Sequence, residues 1–474
     1  MKMNDSILLF IDQKRRDSLP VVLVYKYLTE LGIKTIIATS SDFFLKYLYH
    51  KPKVVLQAHP DSYHGEWTRF MSQYSVVCSL PTEQQMSDPE QLKKRIIGGH
   101  NPGNDNYNIP YIEGISTFYI WSETILNVLS EDNEFSGKLT VTGNPRIVDI
   151  SEFSKKTSSI NRKHRKKISI GIALEDELNQ RNIAEFISLM SGYQFNEFGP
   201  VENFSAVNIH ITKTLLEVIR ELNVSRNDIK IIIRPRLGDS PKNYAFLTNK
   251  YSNLHIDNAE SPFQFFNDID CLILAQSSIG TEAQMAGIPT VSVYALMKGV
   301  LDFYNTERNV ARLNHYWMPE SMTELDGLLN KIKDSVLPVS RNMSDFKAHI
   351  HKYYIQEKQF SHPSYLIAQD LSLKLSSYEQ DNENINRDYL VKEYFIKLLP
   401  MKLRGKVVSD IIFSAFNTKN FMTRAISTII IRLTLDFYAY SAARGKNENY
   451  FFNSNAEFKK YDDVVNFVKT SFDN

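Results

Sequence analysis

The sequence predicts an α/β fold with two Rossmann-like domains that face a cleft, followed by a C-terminal helical extension. Short apolar runs alternate with helical patterns along residues 1–155 and again along 165–378, and a polar, basic stretch at 154–167 separates the two series. Strands that alternate with helices favour right-handed βαβ units and a parallel sheet. Two such domains joined by a linker are typical of an enzyme whose site lies in the cleft between them.

Each predicted element follows from its own stretch of sequence. Apolar runs such as "ILLFID" indicate buried strands, and "SLPVVLVYKYLTELG" indicates a helix that a glycine closes. In the first half we predict a helix at 18–32 and strands at 7–12, 34–40, 54–60, 75–81 and 138–145. In the second half we predict strands at 168–174, 229–236, 254–258, 271–275 and 290–294, and helices at 208–223, 261–269 and 279–287.

Composition places the chain among soluble globular proteins. It has 474 residues, 43% hydrophobic and 23% charged, and its net charge of +1 gives no reason to expect nucleic acid as a partner. Cys78 and Cys271 are the only cysteines, which argues against a disulfide framework and fits a reducing compartment. The N-terminal apolar run is too short for a signal peptide, and no uncharged apolar stretch approaches the ~20 residues of a membrane span. We therefore expect a cytoplasmic protein.

The predicted extension at 385–474 differs in charge from the rest of the chain. Between Arg387 and Lys446 the sequence has eleven Lys or Arg and four Asp or Glu, a local excess of +7. Basic amphipathic helices lie on anionic membrane surfaces, where each cation contributes ~1 kcal/mol. They also pack on a neighbouring domain or chain, which apolar runs such as "ISTIIIRLTL" favour. Peripheral membrane contact through 387–446 is the alternative that stays open.

The stretch "AQSSIGTEAQMAGIPTVSV" at 275–293 leads from a strand through small residues into a helix. Ser277, Ser278 and Gly280 fall where the strand ends, which is where parallel α/β sheets bind ligands. Backbone N–H groups and the helix dipole favour an anion there, and Glu282 is placed to accept hydrogen bonds from sugar hydroxyls. A serine N-cap with Glu282 in the first turn explains the same residues without a ligand.

The stretch "IIIRPRLGDSPKN" at 231–243 brings two arginines to the same sheet edge. Arg234 and Arg236 follow a run of isoleucines, and the proline between them ends the strand. Arginine side chains match the geometry of phosphate, so these two predict an anion site beside the serine loop. The simpler alternative is an ordinary loop in which Arg236 pairs with Asp239.

The first half offers further candidate polar side chains. Glu113 lies beside Gly114 among aromatic residues, where partial burial suits a carboxyl to acid–base work, although a carboxylate at a helix start is the simpler interpretation. Arg146 lies just past a strand in "TGNPRIVD", where an Arg146–Asp149 pair in a turn is the simpler interpretation.

Several motifs of other enzyme classes are absent. The sequence has no GxxxxGK[ST], no GxGxxG after its first strand, and neither GxSxG nor HExxH, which argues against P-loop nucleotidases, dinucleotide oxidoreductases, serine hydrolases and zincins. The loosely spaced His59, Asp61 and His64 are more typical of a polar loop than of a metal site. We expect no bound metal.

Together the motifs resemble a known family. "SSIGTEAQMAGIPTVSV" is similar to the donor-binding segment of GT-B glycosyltransferases, and residues 5–375 resemble bacterial surface-carbohydrate (capsule and O-antigen) biosynthesis proteins of that fold. "IDQKRRDSLP", with Asp12 and Gln13, corresponds to their polar opening motif; "YIEGISTFYIW" and "TGNPRIVD" correspond to their EEG and GNPRxD elements. Arg234 stands where distant CMP-sugar relatives, the Kdo and sialic acid transferases, often have a histidine. This departure leaves the nucleotide open.

The resemblance implies a metal-independent transferase with a nucleotide sugar as substrate and no further cofactor. On the second domain, the implied donor-binding residues are Ser277, Ser278, Gly280 and Thr281 at the phosphate, Glu282 at a ribose hydroxyl, and Arg234 and Arg236 at the leaving nucleotide. The acceptor, a glycan or lipid-linked glycan of a surface polysaccharide or lipopolysaccharide, would lie on the first domain, with Glu113 as base or nucleophile. Asp12, Arg146 and Asp239 are further candidates.

Two alternative functions stay open on the sequence. A sugar-nucleotide 2-epimerase or a CDP-polyol phosphotransferase shares this two-domain form, although an epimerase needs neither a glycan acceptor nor a basic tail. A non-catalytic glycan-assembly protein that only binds its ligand is the alternative from a different class.

Overall fold

The computed structural model describes two parallel α/β halves. It covers residues 4–11, 14–39, 43–57, 68, 71–81, 93, 112, 114–146, 167–175, 204–236, 241–259, 262–297, 311–355 and 361–378. One six-stranded and one five-stranded sheet, both with parallel pairing throughout, confirm the predicted fold class. The predicted extension at 385–474 lies outside the described residues.

The first sheet has the strand order β2-β1-β3-β4-β5-β6. Its strands are β1 Asn4–Ile11, β2 Thr35–Thr39, β3 Pro52–Gln57, β4 Val76–Ser79, β5 Thr117–Ile120 and β6 Leu139–Val141, and its helices are α1 Lys14–Glu30, α2 Phe43–His50 and α3 Glu123–Ser130. The apolar residues of β1 are buried on both faces, as expected of a parallel strand with helices on either side. Strand β5 is the one member of this sheet that the sequence did not predict.

The second sheet has the strand order β11-β10-β7-β8-β9. Its strands are β7 Ile168–Ala173, β8 Ile229–Arg234, β9 Leu254–Ile256, β10 Cys271–Leu274 and β11 Thr290–Ser292. The helices between them are α4 Phe204–Ser225, α5 Ala245–Lys250, α6 Pro262–Asp268 and α7 Ile279–Met285. Gly287, two residues after α7 ends, has a φ of 75° and turns the chain back into β11 at a conformation that other residues rarely adopt.

Three helices follow the second sheet: α8 Met322–Lys333, α9 Met343–Tyr353 and α10 Pro363–Ser376. Helix α8 packs on the second half, where Leu325 and Leu329 join its core. Helices α9 and α10 return to the first half, where Ile350 of α9 and Ile367 of α10 each join an apolar cluster. The chain therefore crosses back after completing the second sheet, and its last described helix lies against β1, β3 and α1.

A polar contact also fixes the last described helix to the first sheet. The Tyr119 hydroxyl on β5 donates to Asp370 on α10 over 2.6 Å, and Tyr119 itself is fully buried. Among the described residues no helix is long and apolar enough to cross a membrane.

Candidate functional site

The carboxyl ends of the second sheet form a crevice at β7. This strand lies between β10 and β8, so the chain continues to one side of it after β7 and reaches the other side only at β10. Ligands of open parallel sheets bind at such a reversal of strand order, between the two loops that diverge from it. Here those loops begin at Glu175, two residues after β7, and at Ala275, directly after β10.

The predicted serine loop is held by a carboxylate of the protein itself. The backbone N–H groups of Ala275, Gln276 and Ser277 all donate to Oε1 of Glu175, over 3.0, 2.5 and 2.7 Å. Successive N–H groups that converge on one point form an anion-binding concavity. These three N–H groups hold a carboxylate of the chain itself, and the predicted phosphate at this loop stays a prediction. Glu175 was missed because no motif marks it.

The side chains of the serine loop do not cap the following helix. Ser278 occupies the N-cap position of α7 in an αR conformation, and its side chain makes no capping hydrogen bond. Ser277 and Ser278 are both half-buried. The capping alternative therefore does not account for Ser278, while its predicted role at a phosphate stays a prediction.

Gly280 and Thr281 lie in the packed interior behind the loop. A Cβ added to Gly280 would lie 2.5 Å from the Tyr316 hydroxyl oxygen and 2.8 Å from Leu274. Thr281 is buried with its hydroxyl 3.4 Å from the same Tyr316 oxygen. Packing of α7 against β10 and Tyr316 is sufficient to require the glycine, and the predicted phosphate contacts of these two residues stay a prediction.

Glu282 on α7 forms an ion pair with Arg146 of the first half. One guanidinium nitrogen of Arg146 lies 2.9 and 3.0 Å from the two carboxylate oxygens, and the two side chains are 14% and 5% exposed. Burial raises the pKa of Glu282, and the charges of Arg146 and Arg234 oppose that rise without cancelling it. Two candidate motifs from opposite halves thus meet in one buried contact.

Backbone hydrogen bonds fix the turn that carries Arg146. The N–H of Arg146 donates to the side chain of Asn144 over 3.0 Å, and the N–H of Asn144 donates to the carbonyl of Tyr354 over 3.1 Å. Tyr354 directly follows α9, and its ring stacks on Trp121 with centroids 5.3 Å apart. The turn after β6 is therefore fixed by the returning part of the chain.

Arg234, at the end of β8, forms a buried ion pair with Asp257. Its guanidinium also donates to the carbonyl of Ala259 over 3.3 Å and lies over the ring of Phe265, 5.3 Å from its centroid. Asp257 follows β9 and was not singled out from the sequence, although an Asp at a neighbouring strand end was a usable signal. Arg236, two residues further along, is exposed at the same edge.

Three of the predicted site residues lie outside the described part of the chain: Glu113, Asp12 and Asp239. The same holds for Asp149 and for His59, Asp61 and His64. Gly114, beside Glu113, is described: a Cβ there would lie 2.9 Å from the Thr68 carbonyl oxygen, so close backbone packing requires the glycine. Within the described residues no group of three or more His, Cys, Asp or Glu side chains could hold a metal ion.

The described part of the site pairs each buried cation with a carboxylate. Arg146 lies against Glu282 and Arg234 against Asp257, while the Glu175 carboxylate is held by neutral amides. Paired charges on rigid strand ends can hold a polar ligand in a fixed orientation, because their own side chains are already immobilised. A ligand at the β7 crevice would contact groups from the second half and lie beside the first.

Comparisons with known proteins show no family for this chain. No protein-family model matches the chain, and no curated protein matches it. Among solved structures, the wall teichoic acid polymerase TagF is 10% identical with a TM-score of 0.45, over 79% of this chain and 90% of that one.

Two further solved structures have similar identities and TM-scores. MnaA from S. aureus, solved with UDP, is 10% identical with a TM-score of 0.44, over 80% of this chain and 100% of that one. A putative UDP-N-acetylglucosamine 2-epimerase from Listeria monocytogenes is 12% identical with a TM-score of 0.41, over 81% and 100%. Likeness at this level does not choose between transferase and epimerase, so the residues of the chain have to carry that choice.

Proposed function

We propose that this protein is a GT-B glycosyltransferase that moves a sugar from a nucleotide-activated donor to a glycan or lipid-linked glycan acceptor. The observation that carries the proposal is the Arg146–Glu282 pair. It joins a turn at the carboxyl end of β6 to the helix that follows β10. The carboxyl edges of the two sheets, where parallel sheets bind ligands, therefore lie next to each other. A site built from both halves suits a reaction that brings two substrates together.

In this proposal the donor binds to the second half. The hydroxyls of Ser277 and Ser278 hydrogen-bond the phosphate, and the exposed Arg236 supplies positive charge as the nucleotide leaves. Arg234 adds to the field from its buried position beside Asp257. Glu282 reaches a ribose hydroxyl while its carboxylate is shared with Arg146.

The acceptor then binds to the first half, with Glu113 as the proposed base or nucleophile. The proposed acceptor is a surface polysaccharide or lipopolysaccharide precursor, and the donor sugar is CMP-linked or similar.

The basic segment 387–446 is proposed to hold the protein against an anionic membrane on the cytoplasmic side. Sedimentation with anionic and with neutral vesicles tests this contact: equal sedimentation with both would contradict it.

A thermal-shift screen of CMP-, UDP-, GDP- and CDP-linked compounds tests the donor site. A ligand that binds only the folded protein stabilises it by about 2.7 kcal/mol at one hundred times its Kd. We expect one nucleotide class to raise the melting temperature. Absence of any shift at millimolar concentrations would count against the proposed function.

A matched pair of variants locates the binding. Arg236→Ala should reduce the nucleotide-induced shift, because it removes charge at the carboxyl edge of the second sheet. Lys250→Ala is the control, since Lys250 is also exposed but lies four residues before β9, at the amino edge of the same sheet. Release of free nucleotide only when acceptor is added then separates a transferase from a 2-epimerase.

A further inference from the structure

Glu175 connects the ends of two strands that are far apart in sequence. It follows β7, and its Oε1 accepts from three successive N–H groups directly after β10, about one hundred residues later. Hydrogen bonds to a charged acceptor are roughly twice as strong as those between neutral groups. The carboxylate therefore fixes three successive N–H groups of the loop backbone, those of Ala275, Gln276 and Ser277.

The same loop is held on its other side by β11. The Ser292 hydroxyl donates to the carbonyl of Ala275 over 2.6 Å, and both groups are buried. Three N–H groups of the loop thus donate to Glu175, and the carbonyl of Ala275, the first residue of the loop, accepts from Ser292. Hydrogen bonds from both sides therefore fix the backbone that leads to Ser277 and Ser278. The side chains of these two serines are half-buried.

We infer that Glu175 is a positioning residue for the donor phosphate. It holds the loop so that the hydroxyls of Ser277 and Ser278 are directed before the donor arrives, which lowers the ordering cost of binding. This inference rests on the proposed function. It assigns to Glu175 no contact with the donor and no proton transfer.

The hydrogen bonds on both sides of the loop favour a role for Glu175 in positioning the loop over a role in competing with the donor phosphate. A carboxylate that merely occupied the anion site until a phosphate displaced it would need only the N–H side of the loop. Here the carbonyl of the same segment is fixed as well. The two roles predict opposite effects of removing the carboxylate: a positioning residue leaves weaker nucleotide binding, and a competitor leaves tighter binding.

The experiment compares Glu175→Ala with Glu175→Gln by titrating UDP, CDP, CMP and GDP into each full-length protein. Gln keeps an oxygen acceptor at the same reach, so we expect its Kd to stay within about threefold of the wild type, while Ala should raise the Kd about tenfold or more. Sodium formate, which supplies a free carboxylate for the three loop N–H groups, should restore binding to Glu175→Ala alone. Glu134→Ala, which removes an exposed glutamate of the first half, is the matched control and should bind like the wild type.

Unchanged or tighter binding by Glu175→Ala would overturn the inference. If that variant does not fold, Glu175→Asp carries the test against the wild type, because Asp keeps the charge but loses the reach. Weaker nucleotide binding by Glu175→Asp supports positioning, and unchanged or tighter binding overturns it.

Hydrogen exchange separates this inference from the proposed function. The amides of 275–277 should exchange faster in Glu175→Ala and regain protection with formate, whether or not a nucleotide is present. If the wild type binds none of the four nucleotides, the proposed function fails and the role of Glu175 toward a donor fails with it. If the wild type binds and Glu175→Ala binds equally well, only the role of Glu175 fails.

Discussion

At the scale of single residues, the Arg146–Glu282 pair joins a carboxyl whose charged form burial disfavours to a cation from the other half. Burial raises the pKa of Glu282 even with two arginines acting on it. A carboxyl whose pKa is higher in the folded than in the unfolded chain contributes stability that is full below about pH 4.3 and is lost as pH rises through the folded value. An ion pair retained at such a cost is a candidate for function.

Glu282→Gln should therefore leave the free energy of unfolding at pH 7 unchanged within about 1 kcal/mol, or raise it. Relative to this variant, the wild type should lose stability as pH rises from 4 to 8, because the wild-type carboxyl gives up its proton in a buried position. Urea unfolding across that pH range measures the difference. A wild type that gains stability over Glu282→Gln with rising pH would contradict the prediction.

Arg146→Met should have the opposite effect at neutral pH. It leaves the Glu282 carboxylate buried with less opposing charge, and breaking a buried pair on one side costs about 3 kcal/mol. The loss should shrink toward pH 4, where the carboxyl is protonated. Adding Glu282→Gln should restore most of it, and a double variant no more stable than Arg146→Met would argue against a coupled pair.

At the scale of elements, helix α10 is an integral part of the first half. Ile367→Ala should lower the free energy of unfolding by about 3 kcal/mol, because Ile367 is fully buried against the first sheet. Leu373→Ala on the same helix is the matched control: its side chain is 65% exposed, and the change should stay within about 0.5 kcal/mol. Similar losses for both would mean that α10 does not pack as described.

The elements divide into those that local pattern can predict and those that it cannot. Ten of the eleven strands in the described part of the chain coincide with short apolar runs of the sequence. Strand β5 was not predicted, because its four residues lie in an aromatic stretch that also suits a helix. The place of α10 was not predictable, since an amphipathic helix shows that it packs but not on which sheet.

The site divides in the same way. Arg146 and Arg234 were predictable because they lie at or just past predicted strands, and Glu282 because it lies in the helix that follows the serine loop. Their partners were not: Asp257 and Glu175 are single acidic residues whose contacts depend on which strands are neighbours. The pairing of Arg146 with Glu282 depends on how two halves meet, which no local pattern contains.

At the scale of the whole molecule, the two sheets are linked by more than the chain between them. Helices α9 and α10 come after the second sheet in sequence but pack into two apolar clusters of the first half. The Arg146–Glu282 pair adds a direct contact between the halves. We therefore expect the halves to unfold together rather than one at a time.

The two cysteines can test this expectation, because each lies buried in one sheet. Cys78 is in β4 and Cys271 in β10, and burial raises the pKa of both thiols, that of Cys78 to about 12, so neither should react in the folded protein. Pulsed thiol labelling across a urea series, read by mass spectrometry of the two cysteine peptides, should give one shared midpoint. Ile367→Ala should lower both midpoints equally, although it changes only the first half. Two separate midpoints, or a shift confined to Cys78, would mean that the contacts between the halves are too weak to couple them.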